Sequence, residues 1–424
     1  MNGGEGALKR IMNNFRLNAR LSSQINHNFK VDALSASFFA LAGGALYPFV
    51  AAIAINMGAG ALGVGLLVAA PFAAQLFTIY WGHLCQGRQK LPFIIYPGIA
   101  ARLLLLPLVL VNSPAVFITL IILHHGLLAI TWPAFTSLVQ KMYPMARRGR
   151  LMGLVKFVFG IFNILAIAVA GRSLDLLGHP PVILVGVAAG ITATLIFRRI
   201  REPEEEKETA ICRRFSPGES LRQLRQFPAL AWFIVGMSFL EIGKFMLQPF
   251  LPLYWLNELG LSQSNIGSIA IVVTLFWFLS SPLWGALVDR FHPVGVVMAA
   301  GGLYCLLPLL YLGNPGLAGV LVGAALTGLG LAAYEVGWSN NLLGMAGRQS
   351  GKFIGLYLSL VGLRGLLSPL LASVILGGGQ AVLLLILAAL FILASFPALI
   401  HSYRLGVRGR KKETPEVVAV KIAQ

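Results

Sequence analysis

Glu241, Lys244 and Gln248 fall at i, i+3 and i+7 in a stretch from 228 to 254 that holds no other charged residue. On a helix that spacing puts all three side chains on one face. A carboxylate and an ammonium so placed have two uses. They can bind a proton or a charged solute, tuned by each other and by access of water, or they can neutralise each other as an internal ion pair. Arg364 stands alone in a second apolar run. A buried guanidinium needs a carboxylate, backbone carbonyls or an anionic substrate, and Glu241 is a candidate partner. Arg102 lies at similar depth in a third run, where a structural role is expected. His124 and His125 are adjacent, so at most one points straight into a shared cavity. One of them suits a proton relay, and a packed histidine bonded to a carbonyl is the other reading. Tandem histidines are poor chelators, because two imidazoles share a helix face at i, i+4. Tyr334, Glu335, Trp338 and Ser339 interleave two i, i+4 pairs. They read either as a cavity wall with a few placed polar groups or as an aromatic belt at a membrane surface. Asn163 is the polar residue at mid-depth of its own run.

Ionisable groups inside a membrane span cost at least about 2.5 kcal/mol each, so each is a candidate functional residue. This cost applies to groups within membrane spans. The chain has 424 residues, of which 57% are hydrophobic and 11% charged, and its mean hydropathy is +0.79. Soluble domains carry about 25% charged residues. A water-soluble or nucleic-acid-binding chain is therefore excluded by composition despite the net charge of +18. Twelve runs approach the roughly 20 apolar residues that cross a bilayer: about 32–55, 63–81, 92–111, 115–139, 151–170, 181–197, 228–254, 265–284, 294–312, 317–343, 353–376 and 381–400. They are numbered here as spans 1 to 12. Glu241 then lies roughly 21 Å past Phe227 and Arg364 roughly 18 Å past Lys352, both deep in the bilayer.

Charge orients the spans. With the N-terminus inside, the inside segments hold 28 of the 33 Lys and Arg residues, the outside loops hold Arg172 alone, and Arg102, Lys156, Lys244 and Arg364 fall within spans. This is the positive-inside asymmetry. It predicts a multi-pass integral membrane protein with both termini cytoplasmic, expected in a bacterial inner (plasma) membrane.

The chain also repeats itself. Trp81-Gly82-His83-Leu84 returns as Trp284-Gly285-Ala286-Leu287, and Arg150-Leu151-Met152-Gly153 as Lys352-Phe353-Ile354-Gly355, at nearly the same offset. The expected organisation is a cytoplasmic segment 1–31, a six-helix bundle 32–197, a charged linker 198–226, a second bundle 227–401 and a tail 402–424. The fold class is all-α: twelve transmembrane helices in two pseudo-symmetric six-helix bundles. Repeats of this kind place a binding site near the bilayer midplane between the halves.

From about 32 to 401 the chain resembles the major facilitator superfamily. Gly285-Ala286-Leu287-Val288-Asp289-Arg290 matches the start of its G-x-L-x-D-R loop signature, and Asn257-Glu258-Leu259-Gly260-Leu261-Ser262 with Ile266-Gly267 is similar to its loop between helices 7 and 8. The first-half copy departs from the signature. In Gly82-His83-Leu84-Cys85-Gln86-Gly87-Arg88, Gln86 replaces the acid and Gly87 the base. The resemblance implies that the acid of the loop faces a helix N-terminus and helps hold the cytoplasmic side shut, so gating would lean on Asp289 and Arg290. It also implies that helices 1, 4, 7 and 10 line a central cavity. The implied function is secondary active transport of a small molecule by alternating access, coupled to protons, with export of an amphipathic or drug-like compound as the first expectation. A facilitator or symporter for a small organic anion is the second, and a transport-inactive scaffold or sensor on the same fold is the rival from another class. No nucleotide-binding P-loop, metal-ligand spacing or nucleophile motif occurs, so no enzyme, cofactor or metal is expected. Cys85, Cys212 and Cys305 form no disulfide framework. The Gly-Pro of drug–proton antiporters is absent from span 5. The expected partners are the substrate, protons and lipid, for a protein acting as a monomer.

Overall fold

The computed structural model describes residues 3–202, 222–346 and 350–422. Most of the charged linker, 203–221, lies outside the described residues. Helices dominate, and no strand occurs among the described residues. Among the described residues, eleven helices are long and apolar enough to cross a bilayer. The remaining crossing, span 2, comes in two pieces, Ala61–Leu76 and Thr78–Cys85, broken at Phe77.

The first bundle continues with span 3 (Leu91–Leu103, then a tight turn Leu106–Val109), span 4 (Pro114–Met142), span 5 (Met145–Leu177) and span 6 (His179–Phe197). The second holds span 7 (Pro228–Leu253), span 8 (Gln263–Arg290), span 9 (Pro293–Leu312), span 10 (Leu317–Ala346), span 11 (Ser350–Gly377) and span 12 (Ala381–Ile422). Spans 3, 4, 6, 7 and 9 begin with a proline in the first turn, where the missing N–H costs nothing.

Two helices overrun their apolar runs. Span 1 is one helix from Gly3 to Leu46, extended by Val50–Asn56. Asp32 is therefore in mid-helix rather than at a cap, and its Oδ2 accepts from the Tyr143 hydroxyl at 2.6 Å. Span 12 runs on to Ile422.

The halves meet along two seams, span 2 with span 11 and span 5 with span 8. Both seams are built on glycine. A Cβ at Gly65 would sit 1.8 Å from Ser373 Oγ, and one at Gly362 or Gly365 would run into Leu76 or Phe72. At the end away from the termini, Gly171 lies against the Gln263 carbonyl and Gly267 against that of Ile167. Backbone approach this close is what small residues give membrane helices. The seam does not continue to the linker end. Beyond the break at Phe77, the Thr78–Cys85 piece packs on span 4 of its own bundle, and Phe77 itself is 62% exposed. The two bundles are joined over the far half of the molecule and part toward the linker.

Candidate functional site

The second bundle holds the buried ions. Glu241 is completely buried and Arg364 is 7% exposed. Arg364 Nη2 lies 2.7 Å from Glu241 Oε2, although the N–H is not aligned for a hydrogen bond, and Arg364 Nε is buried with no acceptor. Glu241 Oε1 accepts from the hydroxyl of Tyr334 at 2.5 Å and from that of Tyr357. Arg364 Nη1 donates to Ser238 Oγ. Spans 7, 10 and 11 are thus tied through one carboxylate, and only span 7 supplies the acid. Burying such a pair costs several kcal/mol in desolvation per ion, offset by Coulomb attraction and by the surrounding hydrogen bonds.

Lys244 does not pair with Glu241. Its ammonium stands over the Tyr334 ring, 3.9 Å from the centroid, with the rings of Phe245 and Tyr304 further off. The i, i+3 spacing brings the two residues to one face, and the guanidinium of span 11 takes the carboxylate instead. Gln248 is half-buried two turns on. Trp338 stacks on Tyr357, with centroids 5.0 Å apart. Glu335 turns the other way, into the seam with span 8, where its Oε2 accepts from Trp277 Nε1 at 3.0 Å.

The first bundle holds the space. A cavity of about 570 Å³ is lined by spans 1, 3, 4, 5 and 6 on one side, and by Trp255 and span 8 on the other. Its polar lining comes from Tyr47, Arg102, His124 and Asn163. His124 Nδ1 bonds the Ala101 carbonyl at 2.7 Å. A carbonyl only accepts, so Nδ1 carries the proton and Nε2 is left as acceptor for the Tyr47 hydroxyl, 3.3 Å away. His124 is thereby a packed histidine as well as a wall of the cavity. His125 is half-buried and stacks on Tyr47 at 6.0 Å. Asn163 Nδ2 donates to the Ala40 carbonyl, linking span 5 to span 1 as Arg364 links span 11 to span 7. Arg102, expected in a structural role, lines the cavity, with one hydrogen bond to the Gly98 carbonyl and the Phe39 ring 5.3 Å beneath it. Neither Tyr334, Glu335 nor Trp338 lines this cavity.

The Major Facilitator Superfamily model matches the sequence twice, over 33–241 and again over 233–422. The chain belongs to the Major Facilitator Superfamily. The two matches are the two bundles, and they agree with the internal repeat. Solved structures with the same fold include the nucleoside transporter NupG (TM-score 0.72, 11% identity, 89% of this chain and 99% of that one) and a mutant of it (0.74, 12%, 89% and 99%). A bacterial homologue of the human lysosomal transporter Spinster, inward-facing and occupied, also aligns (0.67, 15%, 89% and 96%). No curated protein shows a significant match. This superfamily member is accordingly a multi-pass membrane protein of a transporter family, not of an enzyme family.

The loops of the superfamily signature lie at the open end. Asp289 and Arg290 end span 8, both exposed, with no partner among the described residues. Gly285 has open space where a Cβ would be. In the first half, Gly82 faces Pro133 of span 4, and Gln86 follows the end of span 2 with extended backbone. Glu202, in the linker, accepts from the backbone N–H of Lys90 at 2.6 Å and of Leu91 at 3.2 Å, capping span 3 where the helix dipole favours an anion. Lys90 turns inward and donates to the carbonyls of Cys85 and Arg88. At the closed end Asp175 of span 5 accepts from the backbone N–H of Gln263 and Ser264 at 2.8 and 2.9 Å and from Ser264 Oγ. A carboxylate of one bundle thus caps a helix of the other.

Sequence reasoning gave no site role to Tyr357, Ser238, Tyr47, Asp175 and Glu202. Tyr357 had a signal, since it lies seven residues before Arg364 on the same face of span 11. Asp175 and Glu202 act across long sequence separations onto helix N-termini, and nothing local marks such a partner.

Proposed function

We propose that this protein is a secondary active transporter that moves a small amphipathic molecule by alternating access, with Glu241 as its proton-coupling carboxylate. The observation that carries the reading is the Glu241 site itself. It is one fully buried acid, tied to spans 10 and 11 by two tyrosine hydroxyls and one guanidinium. Ionised, it accepts from both hydroxyls and its charge balances the guanidinium. A proton on the carboxyl removes the charge that balances Arg364 and turns an acceptor oxygen into a donor. An unbalanced buried guanidinium is strongly unfavourable, so protonation favours a different packing of spans 7, 10 and 11. That is the coupling a proton-driven carrier requires: the occupancy of one acid biases two arrangements of the helices.

The seams supply the second arrangement. The far half is closed by the Asp175 cap and by glycine contacts, and the linker half is parted. With the basic end placed in the cytoplasm by its lysines and arginines, in a bacterial inner membrane, this is an inward-facing state. The 570 Å³ cavity is within the size range of small-molecule sites, and its lining is mostly apolar. The protein works as a monomer in contact with lipid.

The test uses proteoliposomes loaded with a pH-sensitive dye, challenged with a panel of amphipathic compounds with and without an imposed pH gradient. Proton movement should follow solute movement, and Glu241→Gln should uncouple them. Solute flux that is unchanged when the gradient is collapsed would end the proton-coupled reading.

A further inference from the structure

The transport reading leaves the chemistry of the cargo open, and the cavity narrows it. Two arginines lie deep in this protein with different surroundings, apart from Lys244, which is enclosed by the rings of Tyr334, Phe245 and Tyr304. Arg364 faces Glu241 at 2.7 Å. Arg102 faces no carboxylate among the described residues, and no Asp or Glu lines the cavity. Its single hydrogen bond leaves Nε and Nη2 without protein acceptors. The other titratable side chains of the lining do not balance it. His124, which carries a proton on Nδ1 against the Ala101 carbonyl and has the Tyr47 hydroxyl 3.3 Å from Nε2, brings no negative charge. The cavity therefore carries one uncompensated positive charge in walls that are otherwise largely apolar. A guanidinium without a counter-ion at such depth is costly, and the protein keeps room for it: a Cβ at Gly190 would lie 3.0 Å from both Arg102 Cγ and Nε.

The polar groups are also one-sided. Arg102, Tyr47, His124 and Asn163 all belong to the first bundle, whereas the second contributes Trp255, Ile266, Ile269, Ala270, Val273 and Thr274, whose hydroxyl is spent on the Ala270 carbonyl. A molecule seated here meets a cation on one side and an apolar wall on the other.

We propose, building on the transport reading, that the cargo is an amphipathic organic anion whose acidic group is bound by Arg102 and whose apolar part rests on spans 7 and 8. Arg102 is then the specificity-determining residue, and Arg364 belongs to the coupling site.

The test is equilibrium binding to the full-length protein in nanodiscs of zwitterionic lipid, by calorimetry, with three probes of one shape: naphthylacetate, its neutral amide naphthylacetamide, and naphthylethylammonium. Wild-type protein should bind the anion about thirtyfold or more tighter than the amide, and the ammonium most weakly. Arg102→Gln should erase the preference between acid and amide, and Arg102→Lys should retain part of it. Gly190→Ala, which keeps the charge but crowds the guanidinium, should reduce the preference without reversing it, and it serves if Arg102→Gln does not fold. Equal binding of the three probes by wild type, a preference for the ammonium, no binding of naphthylacetate, or an undiminished preference in Arg102→Gln would each overturn the proposal. Binding is read with no gradient and no flux. Loss of the anion preference with gradient-driven flux intact would sink this inference alone, whereas anion binding without flux would sink the transport reading.

Discussion

The two bundles share an ancestry visible in their sequences and use buried polarity in opposite ways. In the second, Glu241, Arg364, Tyr334, Tyr357 and Ser238 close on one another in a dense knot. In the first, the corresponding depth carries Asn163 in place of Arg364, no acid, and a cavity edged by Arg102, Tyr47 and His124. One bundle pairs its ions with one another, and the other turns a cation toward the cavity. On the proposed function, the division would separate two tasks that a carrier must keep linked but distinct: holding a proton and holding a cargo. The structural connection between the bundles runs through the seams of spans 2 with 11 and 5 with 8.

The largest effect on this contrast should come from breaking the knot. Glu241→Ala leaves Arg364 buried without its acid and should cost about 3–5 kcal/mol of stability, read as a lowered thermal transition in detergent. Adding Arg364→Met should recover most of that loss, because two uncharged residues remove the imbalance, while coupling stays abolished. Full stability of Glu241→Ala alone would mean that the pair is not buried as described.

Next in size is the seam. Gly65→Val places side-chain atoms where Ser373 Oγ and the Pro369 carbonyl stand. It should pry the far end open by about 1–3 kcal/mol, read as new reactivity of a cysteine placed at Ser373. Unchanged reactivity would mean that the seam yields without opening.

Asp175→Asn comes third. It keeps the shape but removes the charge from a cap with three donors, so the closed far end should weaken by about 1 kcal/mol, a shift of a few-fold in the open population by spin-label distances. Glu202→Gln, the matching change at the cap of span 3, should be smallest, about 0.5–1 kcal/mol, and should leave the far end untouched. If Asp175→Asn and Glu202→Gln disturbed the two ends equally, the distinction between a cap across the halves and a cap within one would be lost.

The sequence disclosed the architecture because membrane crossing is a strong local constraint. Runs of apolar residues, prolines at helix starts and basic segments between them are legible one stretch at a time. The repeat was legible for the same reason, since Trp81-Gly82 and Trp284-Gly285 mark equivalent ends. Glu241 and Arg364 stood out because charge is expensive in lipid. Their pairing was not decidable, because Lys244 is nearer in sequence and span 11 is nearer in space. Arg102 was assigned to packing from the position of its helix. The side chain is long enough to reach past span 1, and the absence of a side chain at Gly190 makes that reach possible. The break at Phe77 was hidden as well, as no glycine or proline stands there to announce it.

Distances between spin labels test the central claim most directly. One pair goes at the far end, on the exposed positions Arg172 and Gly260, and one at the linker end, on Arg88 and Arg290, in nanodiscs. The account expects two populations in which one distance lengthens as the other shortens, with Glu241→Gln moving the balance between them in both pairs together. A single unmoving distance at each end, or changes at the two ends that are independent of each other and of Glu241, would contradict it.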